Sequence, residues 1–142
     1  MKYLIVSLIK GSAGEFIDSL QQEVANKFDV VGGIKRKCPP HITLKYNVVT
    51  DKITELENVI KKFCDSNKKI RYQLEGFDYF DKKVIFVKVK ETEEMRESHN
   101  KFVQELKNIS WMTWKKEDKK IHFHASIAHS DIKDNLILFG IM

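Results

Sequence analysis

Two short stretches of this chain place a hydroxyl two residues after a histidine: His41-Ile42-Thr43-Leu44 and His124-Ala125-Ser126-Ile127. In a β-strand successive side chains point to opposite faces, so positions i and i+2 share one. On that rule His41, Thr43 and Lys45 project together, with Ile42, Leu44 and Tyr46 opposed. Likewise His122, His124 and Ser126 project together, against Phe123, Ala125 and Ile127. An imidazole beside a hydroxyl is a compact unit for moving a proton and holding an oxyanion. Two such units facing each other suit in-line displacement at phosphorus. One neutral histidine takes a proton from the nucleophile, and one imidazolium gives a proton to the leaving oxygen. Thr43 and Ser126 then donate hydrogen bonds to the non-bridging oxygens. Histidine can act as acid or base near neutral pH, and each proton transfer contributes ~10²–10⁴-fold, so no metal is required.

Other residues are softer candidates. Lys45, read as sharing the His41 face, can hold a phosphate. Arg36 lies in the basic run Lys35–Lys37 before the first motif. Trp114 stands beside Lys115 and Lys116 before the second, where aromatic rings among lysines suit base stacking and phosphate attraction. The alternative for Trp111 and Trp114 is packing against a helix. His122 shares the face of His124 and borders or tunes the site; with His41 it also leaves open a three-histidine zinc set. That set would leave the two hydroxyls without a purpose. His99 and His129 read as surface residues, and Tyr46 as core.

The elements that must carry these residues are set by periodicity. Residues 3–9 form an apolar, β-branched strand. Residues 14–28 form an amphipathic helix with Phe16, Leu20, Val24 and Phe28 at four-residue steps. A glycine- and proline-marked loop over 31–40 leads to a strand at 41–49. A helix over 53–64 carries Ile53, Leu56, Val59, Ile60 and Phe63 on one face. Strands at 69–80 and 82–90 meet at a turn near Asp81. A third helix spans 92–109, starting at Thr92. A loop over 110–120 precedes a strand at 121–129, and 134–142 is an apolar tail. The first strand leads through a helix to His41, and the strand near Val84 leads through a helix to His124 over nearly the same distance. This predicts a duplicated β-α-β unit whose second half lacks a helix and strand that the first half has.

The whole chain bounds the setting. Its 142 residues make one domain, 1–142. The net charge of +5 suits a polyanionic substrate without demonstrating one. Two cysteines with no CxxC spacing point to a reducing compartment, hence the cytoplasm. The N-terminal apolar run is short and ended by Lys10, so it reads as a buried strand and not a signal peptide. No apolar run reaches the roughly 18 residues of a membrane span.

The motifs "HITL" and "HASI" resemble the paired His-hydrophobic-Thr/Ser-hydrophobic motifs of the 2H phosphoesterase superfamily, the 2′-5′ RNA ligase-like (LigT-like) proteins. Element order, motif separation and size are similar over nearly the whole chain. The resemblance implies an α+β fold of two pseudo-symmetric lobes, with antiparallel sheets lining a central cleft and helices outside. It implies metal- and cofactor-independent action on 2′,3′-cyclic phosphate or 2′-5′ phosphodiester bonds of RNA or nucleotides, with 2′-5′ ligation as a further activity. His41, Thr43, His124 and Ser126 carry over as the active-site four, and a monomer without obligatory protein partner is the family expectation. Serine stands where threonine is commoner in the second motif, and the C-terminus is short of the elements that complete the second lobe. Degradation of signalling cyclic or 2′-5′ oligonucleotides that act in immunity, and a non-catalytic RNA-binding module, are the alternative readings.

Overall fold

The β-branched runs form strands and the apolar periodicities form helices. Their order is β1 (Lys2–Leu8), α1 (Gly11–Phe28), β2 (His41–Val49), α2 (Ile53–Ser66), β3 (Gln73–Phe80), β4 (Val84–Lys90), α3 (Glu93–Lys107), a single 3-10 turn (Lys116–Asp118), β5 (His124–His129) and β6 (Leu138–Gly140). The computed structural model describes residues 1–28, 39–80, 84–129 and 138–140. Arg36, the rest of the basic loop up to Cys38, and the turn near Asp81 lie outside the described residues, as do the side chains of Val24, Phe28 and His129.

The strands form two sheets, ordered β2-β1-β6 and β3-β4-β5. The second sheet is antiparallel throughout. In the first, β1 and β2 are antiparallel, but β6 runs parallel to β1, with Leu4 opposite Leu138 and Val6 opposite Gly140. The two expected sheets are present, each built on antiparallel pairs, and the first carries β6 as a short added parallel strand. Parallel neighbours need a long connection, and β6 reaches β1 from the far end of the chain. The apolar tail thus supplies a short third strand to the first sheet. β3 comes after β2 in sequence yet pairs in the other sheet. Among the described residues no helix is long and apolar enough to cross a membrane.

Each helix covers the sheets with one apolar face. α3 starts where its sequence predicts, with the Thr92 hydroxyl accepting the Met95 amide at 3.2 Å as an N-cap. α2 buries Leu56, Ile60 and Phe63, and Phe63 packs against Phe102 of α3 with ring centres 5.0 Å apart. Burying each such side chain stabilises the fold by roughly 1.5–3 kcal/mol. α1 departs from the expected face. Ile17 is fully buried, with Ala13 and Leu20 packed beside it, while Phe16 is 50% exposed. Gly14 explains the rotation: a Cβ there would collide with the Ile9 carbonyl, so the helix approaches the end of β1 along the Gly14–Ile17 side.

His99 also departs from expectation, being buried and not at the surface. It lies on the α3 stripe of Met95, Phe102 and Leu106, where helical spacing turns it inward. Its Nε2 donates to the Leu44 carbonyl at 2.9 Å, so its polar atom is satisfied inside. Burial disfavours the imidazolium and holds its pKa below the ordinary 6.5; the bond to Leu44 only partly opposes this. The unfolded chain takes up this proton at ordinary histidine pH, and the folded chain only at lower pH. Stability is therefore level above about pH 6.5 and falls as pH drops from there through the lowered folded value. His99→Gln, which keeps a donor for Leu44, is expected to flatten the decline in urea-unfolding free energy between pH 7 and 5.

Candidate active site

The two motifs occupy regular ladder and then break it at the same place. Leu8, Ser7 and Val6 of β1 pair in turn with His41, Ile42 and Thr43, so His41 and Thr43 share a face. The next β1 residue, Ile5, pairs with Lys45, which leaves Leu44 as an extra residue, a β-bulge. In β5, Lys88, Val87 and Phe86 pair with His124, Ala125 and Ser126. Ile85 then pairs with Ala128, which leaves Ile127 as the extra residue. The fourth residue of each motif is thus the bulged one. Buried Ile121, Phe123, Ala125 and Ile127 alternate with His122, His124 and Ser126, which are more open. The strand itself begins at His124 and not at 121.

Both histidines are held the same way. His41 Nδ1 donates to the Pro39 carbonyl at 2.8 Å, and His124 Nδ1 donates to the His122 carbonyl at 2.7 Å. A neutral ring anchored so carries its lone pair on Nε2. The carbonyls loosened by the bulges are met by helices from the opposite half of the chain. His99 of α3 donates to Leu44, and Gln21 Nε2 of α1 donates to the Ser126 carbonyl at 3.0 Å. Neither Gln21 nor His99 was read from the sequence as part of the site, since nothing local marks a contact of that sequence separation.

The bulge at Leu44 redirects the residues after it. Val6 and Ile5 are consecutive and face opposite ways, so their partners Thr43 and Lys45 do too. Lys45 accordingly leaves the His41 face. Its ammonium is 1% exposed, donates to Asp118 Oδ2 at 2.8 Å and to the Tyr46 carbonyl at 2.9 Å, and sits 4.9 Å from the Trp114 ring centre. The expectation that Lys45 holds a substrate phosphate is corrected: its charge is enclosed by Asp118. Tyr46, expected as core, is partly buried and packs against the cluster around Ile42, Val87 and Phe123. Burial pushes its phenol pKa up, and the Thr43 side chain only partly offsets this.

Trp114 is partly buried against the cluster around Leu56, Phe102 and Leu106, and its ring faces Lys45 and Lys107. Trp111 packs on the same cluster and donates to Glu55 at 2.8 Å. His122 is exposed, with its ring centre 5.5 Å from that of His124, and both rings pack on Phe86. Among the described residues no three His, Cys, Asp or Glu side chains gather as a group that could hold a metal ion.

β2 and β5 lie in contact, and a charge on His41 is near enough to oppose one on His124. Burial is the largest cause holding the His124 pKa below 6.5; the His122 carbonyl opposes it, and the positive charges of His122 and His41 add to it. His124 is thereby held toward its neutral form. This constellation agrees with a family match: the model described as the 2′-5′ RNA ligase superfamily matches residues 10–136, most of the chain and both motifs. The protein belongs to this superfamily, the 2H phosphoesterases. No curated protein matches the sequence.

Proposed function

We propose that the protein is a metal-independent 2H phosphodiesterase that hydrolyses 2′,3′-cyclic phosphate or 2′-5′ phosphodiester bonds of RNA or nucleotides. The observation that carries this reading is the repeated anchoring: each motif histidine donates Nδ1–H to the carbonyl two residues before it and shares a strand face with the hydroxyl two residues after it. Family membership supports phosphoesterase chemistry in general.

In this mechanism the motif faces flank the scissile phosphate across a cleft. His124, held neutral by burial, accepts a proton from water at Nε2 as the water oxygen bonds to phosphorus. The bond from phosphorus to the ribose oxygen breaks in line. His41, as imidazolium, protonates that oxygen, leaving a phosphate monoester and a free hydroxyl. The two rings finish with exchanged protonation states and reset through solvent. Thr43 and Ser126 donate to the non-bridging oxygens, whose charge grows in the transition state.

Turnover of 2′,3′-cyclic mononucleotides, cyclic-phosphate-ended RNA and 2′-5′ oligoadenylate, measured in EDTA, tests the proposal. Chelator-resistant release of a monoester supports it; absence of turnover on every substrate by folded protein contradicts it.

A further inference from the structure

A second concavity lies away from the catalytic face. It is a cavity of about 370 Å³, walled by Ile42, Leu44, Phe63, Phe102 and Phe123, with His99 at its lining. Ile42 pairs with Ser7 and alternates with His41 and Thr43 along β2, so the cavity takes the face that the motif does not use. Packed interiors hold few voids larger than a water molecule, whereas small-molecule sites run from roughly 300 Å³ upward.

Its charge is one-sided. Lys10, Lys68 and Lys69 line it, all three exposed, and no carboxylate is among its lining residues. An adjoining open groove shares Lys10, Ile70 and Tyr72 with it and adds Arg71 and the half-exposed Phe16, again without a carboxylate. An apolar chamber continued by an apolar trough and rimmed with four cations matches one ligand chemistry: an apolar tail carrying a single anionic head. RNA is a poor match, since its charge is distributed along its length and the cavity walls are hydrocarbon.

We propose that this cavity binds a single-chain amphipathic anion, a long-chain fatty acid being the simplest, with its tail between α2, α3 and the outer face of β2 and its head at Lys10, Lys68 and Lys69. Burial of the tail supplies most of the affinity and the lysines select the head. The site lies on the face of β2 opposite His41 and Thr43, sharing Ile42 and Leu44 with that strand, and binding there does not depend on the proposed activity.

Calorimetric titration of the full chain with dodecanoate, dodecanol and acetate, each below its aggregation limit, tests this. Saturable one-to-one binding of dodecanoate is expected, with dodecanol roughly tenfold weaker and acetate without heat, one charge at a partly exposed rim being worth about a factor of ten at most. Amide chemical shifts should move at Ile42, Leu44, Cys64 and His99, and not at His124 or Ser126. Lys68→Glu with Lys69→Glu, both at exposed positions, should weaken dodecanoate binding about tenfold and leave dodecanol unchanged. Absence of saturation, equal affinity for the alcohol, shifts centred on the histidine face, or indifference to the charge reversal would each overturn the proposal.

Discussion

His124→Ala and His41→Ala are each expected to lower kcat/KM on a 2′,3′-cyclic phosphate by roughly 10²–10⁴-fold. In the proposed mechanism the two changes remove opposite halves of one proton circuit, so combining them should cost little more than the worse single change. A product of the separate losses would mean that the rings act independently. The fold should survive. Neither ring belongs to the apolar clusters, and their anchors are backbone carbonyls at strand entrances. Rates under chelation, with unfolding midpoints alongside, separate a chemical loss from a structural one.

Lys45→Met is the change expected to damage stability most, by about 3–5 kcal/mol, a large share of a typical total of roughly 5–15. It strands the Asp118 carboxylate, itself 1% exposed at the side chain, without its cation. Asp118 also accepts from the Tyr46 and Lys115 amides, so the pair holds β2 just beyond the bulge against the 3-10 turn. Combining Lys45→Met with Asp118→Asn should recover part of the loss, because no buried charge remains and the amide oxygen still accepts from Tyr46, while the Lys115 amide loses its acceptor. Denaturant titration of the two single variants and the double closes the cycle. Equal loss in all three would show that the ion pair is not what the site rests on.

The Lys45 result also shows where reading the sequence succeeds and where it stops. Apolar spacing places all three helices and the motif strands, and a Thr92 cap is visible three residues before the amide it satisfies. His-x-Thr and His-x-Ser are legible as same-face pairs because two residues of regular strand separate their members. Beyond the hydroxyl the rule fails locally, since one extra residue at Leu44 turns Lys45 off the His41 face, until a second irregularity before Val48 restores the original alternation. A bulge is an agreement between two strands, and neither strand's residues announce it alone. The same holds for His99 and Gln21, whose partners come from the other half of the chain. Phe16 and Ile17 differ by one helical step, and the choice between them was made by Gly14 approaching Ile9, a tertiary contact.

The pH dependence of kcat/KM on a 2′,3′-cyclic mononucleotide, monitored in EDTA, tests the two-histidine mechanism most directly. His124 must be neutral to accept a proton, and its environment lowers its pKa, so activity should rise with pH along an acid limb centred below 6.5. It should then fall at higher pH as His41 loses the proton that it must donate, giving a bell. His124→Ala should erase the acid limb and His41→Ala the alkaline one in whatever residual rate remains. A profile that climbs steadily to high pH, or keeps both limbs in either variant, would contradict acid–base catalysis by this pair.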